Sequence, residues 1–439
     1  GSDAQRNTTL GGNAGDSFTG TDASGNTLIG YDAGTSITTG DNNVAVGRIA
    51  LDSTTTGGDN TAVGAWSLGA NTTGTQNVSI GNYALDANTT ASNNVALGYN
   101  SLGANTTGDS NTAVGTNSMI TNTVGDRNVA VGNGALYTYN PASNEDSYNT
   151  AVGYAALNLD TTGKQNTAVG GEALSANTTA DANTAVGYYA LYANTTGHDA
   201  VAVGFEALKN NTTGLYNTAC GFQALETNST GERNTAVGRN ALNANTGSYN
   251  SAVGMNAMET NSTGAYNTAL GARALVGNTT ADYNVAIGKD ALFTNSTGAN
   301  NTAVGSLALD ANTTASNNTT VGASSMGANT TGTDNCAFGA SALASNTTGD
   351  YHTAIGRFAL QSSTDTTECT AVGYVALQDS TADHNTAMGS RAGEETTTGA
   401  SNTFIGSNCG RENTTGARNT AMGRSALANT TGVDDTVAI

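Results

Sequence analysis

Residues 183–197 read NTAVGYYALYANTTG, and this stretch decides the fold. Seventeen residues earlier the chain reads NTAVGGEALSANTTA, and seventeen later AVAVGFEALKNNTTG. A short unit repeated at fixed length is the signature of a stacked architecture. Written as NTAVGxxALxxNTTGxx, the unit has 17 places, and positions below are places in it. The glycine of position 5 recurs 25 times, from Gly11 to Gly423. Of the 24 intervals, 20 are 17 residues long. The others are 19 (Gly11 to Gly30), 21 (Gly132 to Gly153) and 16 twice (Gly238 to Gly254, Gly373 to Gly389).

Seventeen residues is too short for helical repeats, which need roughly 33 or more. It suits one coil of an all-β, parallel β-solenoid of about 25 coils. Coils stacked at about 4.8 Å would make a rod of roughly 120 Å. Position 2 is Thr or Val almost throughout, and β-branched residues favour strands. Position 3 is nearly always Ala and position 4 apolar, so the valine of position 4 is expected in the core. A second strand is expected around the Ala-Leu pair of positions 8 and 9. The glycines of positions 5 and 15 mark turns that need φ > 0. The asparagines of positions 1 and 12 flank those turns as residues tolerant of left-handed backbone.

The repeat makes 1–439 a single domain. Residues 1–40 are irregular coils, 41–388 regular ones with an insertion at 137–149 holding the only proline, Pro141, and 389–439 atypical ones. Gly15, Gly34, Gly393 and Gly410 stand where most coils have the core leucine, which marks their coils as candidate caps. The chain stops at Ile439, in position 4 of a new unit, as a fragment would.

Composition narrows the function classes. Charged residues are only 11%, and the net charge is −20 from 34 acidic and 14 basic residues. Nucleic acid selects for clustered Lys and Arg, so it is excluded as a partner. No apolar run approaches the 18 or so residues of a membrane span, so no membrane insertion is expected. The four cysteines (220, 336, 369, 409) form no CxxC, which argues against zinc and a disulfide framework. Cys220 and Cys409 fall at apolar positions and are expected to be buried. The first strand is apolar on both faces, and such strands are normally covered on both. A second copy of the chain is the expected cover.

The motif in NVAVG (residues 43–47) and NVAIG (284–288) resembles the head repeats of trimeric autotransporter adhesins. The full unit is similar to repeats in long fibre proteins of bacteria and phages. The resemblance covers essentially the whole chain, although the adhesin repeats are shorter. It implies a β-roll packed as a homotrimer, on a bacterial cell surface or in a virion fibre.

A search for chemistry finds little. His198, His352 and His384 occupy different coils and positions, so no triad or shared metal site is expected, and they are read as surface residues. Aspartate recurs at position 16 (Asp41, Asp109, Asp126, Asp181, Asp282, Asp350, Asp383), an edge whose carboxylates suit Ca²⁺. The insertion carries only Glu145 and Asp146, adjacent on one loop, whereas glycosidases need carboxylates facing each other across the sugar. No catalytic, cofactor or metal residues are therefore assigned, and no enzyme activity is expected. The many NTT and NST triplets match the glycosylation acceptor pattern. Tyr148, Tyr216, Tyr249, Tyr266, Tyr283 and Tyr351 share position 17 and are the candidate contact residues, because exposed aromatics stack on sugars or anchor partners. Three functions follow: the shaft of an extracellular trimeric fibre or adhesin whose tip meets a glycan or host receptor; an ice-binding solenoid, from the threonines of positions 2, 13 and 14; and a tail-fibre segment that binds glycan directly.

Overall fold

A computed structural model describes residues 5–19 and 22–439. The chain is a parallel β-solenoid of about 25 coils and about 17 residues per turn, with no helix among the described residues. Each coil contributes one three-residue strand from positions 2–4, such as Thr61–Val63 or Thr302–Val304. Two compact units are built this way, Gly1–Asn217 and Thr218–Ile439. Within each, successive strands pair in parallel and in register: Val44, Ala45 and Val46 lie against Thr61, Ala62 and Val63, and Thr302 and Val304 against Thr319 and Val321.

The strand faces opposite to expectation. The alanine of position 3 points inward and is fully buried, as at Ala62, Ala151 and Ala303, while positions 2 and 4 point outward. The reason is volume. The interior already holds the leucine of position 9 and the asparagines of positions 1 and 12, all buried, as in Leu68, Asn60 and Asn71. A methyl group is what remains room for. Where position 9 is glycine, position 3 can be large: Leu28 shares a coil with Gly34, and Phe404 with Gly410. A Cβ on Gly410 would lie 2.5 Å from the Phe404 ring. The coils read as caps therefore keep filled interiors, and Phe18 and Ile37 at position 12 pack beside Gly15 and Gly34.

Positions 8 and 9 form a turn, not a second strand. The leucine of position 9 is left-handed, with φ of 51° at Leu68 and Leu157, and so is position 7, with φ of 62° at Trp66. The N–H of position 8 closes the turn onto the glycine of position 5, as from Ala156 to Gly153 at 3.5 Å. The leucine N–H then donates to position 8 of the next coil, as from Leu157 to Ala173 at 3.0 Å. This conformation is uncommon outside glycine, and here the bonds between coils hold it. Position 5 needs glycine twice over: at Gly47 φ is 144°, and a Cβ there would lie 2.5 Å from the Gly64 carbonyl oxygen. The glycines of position 15 do not have positive φ, and Ala91, Ala180 and Ala281 replace them in some coils.

The asparagines are buried spines rather than left-handed turn residues. At position 1, Asn60 Oδ1 accepts the Asn77 backbone N–H at 3.0 Å, and Asn77 Oδ1 accepts that of Asn94 at 3.0 Å. At position 12, Asn88 Nδ2 donates to Asn71 Oδ1 at 2.9 Å. Both spines converge on the position 15 carbonyl: Asn77 and Asn88 donate to Ala91 O at 2.9 and 3.1 Å. Buried amides are costly unless satisfied, and in most coils a neighbour supplies the partner. The threonine of position 13 adds a third ladder, as from Thr72 Oγ1 to Thr89 O at 2.9 Å. The insertion at 137–149 is no simple bulge. Glu145–Asp146 pairs in parallel with Gly125–Asp126, Glu145 meets Lys164 at 2.8 Å, and Asp146 pairs with Arg127.

Candidate functional site

The tyrosines of position 17 all lie on the surface in a left-handed backbone, with φ between 53° and 63°. That conformation throws the ring out along the stack. Where three consecutive coils carry tyrosine, the rings pile up. Tyr249 and Tyr266 stack at 4.8 Å and 9°, and Tyr266 and Tyr283 at 5.1 Å and 7°. Arg233 covers the outer face of Tyr249 at 5.3 Å. The other three are not part of this pile. Tyr148 meets Arg127 and donates to Asp146 Oδ2 at 3.0 Å. Tyr216 stands edge-on to His198 at 5.3 Å, and Tyr351 is 60% exposed.

The aspartates of position 16 have a structural task. Each of the seven accepts the backbone N–H of position 16 in the preceding coil, as Asp109 from Ser92 at 2.6 Å and Asp282 from Ala265 at 2.7 Å. That donor has no partner in the ladder itself, and Ser92 and Ser316 serve the same purpose through their hydroxyls. Among the described residues no group of three or more His, Cys, Asp or Glu is placed to hold a metal ion. Glu145 and Asp146 are both committed to ion pairs.

His352 and Asp160 are buried ionisable groups that escaped the sequence reading. His352 occupies position 1 and is buried, not a surface residue. Its Nε2–H donates to Thr366 O at 2.8 Å, and Nδ1 accepts the Cys369 N–H at 3.2 Å. A neutral imidazole thus reproduces both bonds of the asparagine it replaces, and burial holds its pKa below the usual histidine value. Asp160 occupies position 12. It accepts from Gly163 N–H at 3.0 Å and Asn177 Nδ2 at 3.0 Å, while Oδ2 has no partner. Burial pushes its pKa up to about 8. The signal for both was there: each is an ionisable residue in a column that is asparagine in most coils.

The cysteines are all free. Cys409 is buried as expected, but Cys220 is exposed, because position 4 points outward. Cys369 is buried in position 1, with its thiol pushed up to about 11 by burial. Low-pKa thiolates make reactive cysteines, and none of these shifts runs that way. No helix among the described residues is long and apolar enough to cross a membrane. The fold thus defines a class, the parallel β-solenoids. No known family model and no curated protein matches the chain.

Proposed function

We propose that the chain is a shaft segment of an extracellular fibre or adhesin, on a bacterial surface or a virion. It assembles as a homotrimer, holds an attachment tip away from that surface, and catalyses no reaction. One observation carries the reading. Within each unit, successive coils of the described residues are tied by strand pairing and buried ladders, while the outer face of Thr and Val stays partly open to water: Val169, Val186, Val203 and Val253 are 36–38% exposed. A column of aliphatic side chains left this open gains from being covered, at about 25 cal/mol per Å². The likeness of the repeat to adhesin heads supports a threefold. The test is absolute mass by light scattering on a sizing column. A particle three times the 43.6 kDa chain is expected. A monomer at all concentrations would sink the trimer.

A second reading, ice binding, is favoured by one feature. The hydroxyls of position 13 are spent on carbonyls of the next coil. Those of position 2, as in Thr150, Thr167 and Thr184, point outward and make no hydrogen bond among the described residues. They form a regular column of free hydroxyls beside valine methyls. Thermal hysteresis at high protein concentration would establish this role, and its absence would remove it.

A further inference from the structure

We propose that a concavity around Trp66 binds a neutral sugar, the indole taking the apolar face of a pyranose ring and the Asp52 and Asp86 carboxylates accepting hydrogen bonds from its hydroxyls. The site goes beyond the shaft reading, since a fibre lacking it is still a fibre.

The hollow measures about 270 Å³ and is lined by Ile49, Asp52, Ser53, Trp66, Gly69 and Asp86 among others. Its geometry follows from the repeat. Asp52, Gly69 and Asp86 share position 10 in three successive coils, so the two aspartates are two coil rises apart, roughly 10 Å at their backbones. The glycine between them leaves the floor bare. A Cβ on Gly69 would lie 3.1 Å from Asp86 Oδ1, so this carboxylate leans across the gap toward Asp52. Trp66, at position 7 and half-buried, walls the hollow on the other side.

Both carboxylates are short of donors. Burial alone raises Asp86, and no hydrogen bond in the structure offsets it. Burial also raises Asp52, the Thr35 hydroxyl offsets part of this, and the charge of Asp32 adds to the rise. Half-buried acceptors without donors are costly, and sugar hydroxyls would supply the donors while their carbon face covers the indole. An organic ammonium would also suit aromatic and carboxylate groups. However, the Arg48 guanidinium already stands 5.9 Å over the Trp66 ring. A second cation there would meet a like charge, and a neutral polyol would not. The wall continues along the stack through exposed Tyr83, edge-on to Tyr99 at 6.0 Å, which suits a chain of sugars rather than one.

Trp66 is the only tryptophan, so indole fluorescence, excited where tyrosine does not absorb, reports on this hollow alone. The full chain would be titrated with cellohexaose, chitohexaose, maltohexaose and mannohexaose. A saturable fluorescence change is expected with at least one. The same titration should weaken at least tenfold in Gly69→Val, which fills the floor but keeps the indole, and in the double variant Asp52→Ala with Asp86→Ala, which leaves the backbone unchanged. Circular dichroism would confirm that each variant folds. The proposal is overturned by no saturable change with any of the four, by an unweakened response in the folded variants, or by tighter binding of tetramethylammonium than of every sugar. The mass measurement is independent, so this site and the shaft reading can fail separately.

Discussion

The backbone N–H of Cys369 donates to His352 Nδ1 at 3.2 Å, one coil along the stack. In most other coils the acceptor is an asparagine Oδ1, as where Asn385 Oδ1 accepts the Asn402 N–H at 2.9 Å. The imidazole can act as acceptor only while Nδ1 is unprotonated.

A pH dependence follows. Burial lowers the folded pKa of His352 below the ordinary value of 6.5. The neutral form is therefore favoured in the fold. Stability is full above pH 6.5 and is lost as pH falls below it, where the unfolded chain takes up a proton that the folded one resists. His352→Asn keeps both bonds and has no proton to gain. Urea unfolding at pH 7.5 and pH 5 should show the variant near wild type at the first pH. At the second it should be ahead by up to about 2 kcal/mol, since pH 5 lies about 1.5 units below 6.5 and each unit is worth about 1.4 kcal/mol. Equal losses in both proteins on acidification would show that His352 does not titrate against the fold.

Asp160 works in the opposite direction. Its pKa rises from 3.8 to about 8 on folding. A raised carboxylate pKa means that stability is full below pH 3.8 and is lost as pH climbs toward 8. Asp160→Asn restores the spine amide and gives Asn177 the same acceptor. The variant should match wild type near pH 4 and exceed it at pH 9 by up to roughly 6 kcal/mol, taking about 1.4 kcal/mol per pKa unit over the rise from 3.8 to about 8. Melting temperatures across that range would show the gap opening with pH. A constant offset would mean that ionisation is not its cause.

How much of this was legible follows from the residues themselves. A 17-residue spacing with glycine in register admits few architectures, so the solenoid could be read from glycines alone. Which way the strand faces could not. In Thr-Ala-Val both faces are small and apolar, and only the interior volume taken by Leu68, Asn60 and Asn71 sends Ala62 inward. The spines were hidden for a related reason. A buried asparagine of position 1 is acceptable because the next coil offers its Oδ1 a backbone N–H, as Ala200 does to Asn183, and that pairing is a property of the stack. The tyrosines of position 17 were readable as exposed. Their piling at Tyr249, Tyr266 and Tyr283 needed the left-handed backbone. Trp66 drew no notice, because its importance depends on the bare Gly69 beside it.

One coupling was present in the sequence as a pattern: large at position 3 goes with glycine at position 9. Phe404→Ala should leave a cavity beside Gly393 and Gly410 and cost about 3–5 kcal/mol. Adding Gly410→Leu restores the common pair. Gly410 already has φ of 57°, close to the 51° that Leu427 adopts in the next coil, so the leucine meets no new backbone strain. The double variant should recover most of the loss, giving a coupling well beyond additivity. If Gly410→Leu brings no recovery in the Phe404→Ala background, the two positions do not share one space.

The NTT triplets acquire a physical meaning that bears on expression. Their asparagines, including Asn71, Asn88 and Asn105, are fully buried, and each Nδ2 donates to a neighbouring carbonyl. A glycan on Nδ2 would remove a donor and force a bulky polar group into a space that holds an amide. The first two residues of the triplet are set by the ladders: asparagine for the spine, then a threonine whose hydroxyl reaches the next coil, as from Thr106 Oγ1 to Thr123 O at 2.9 Å. In a secreting host that glycosylates such triplets, modification during synthesis should block coil stacking and hold the chain back from secretion. Any chain that is secreted and folded should carry unmodified Asn71, Asn88 and Asn105 by peptide mass spectrometry. Folded protein with glycan on these residues would contradict the buried spine.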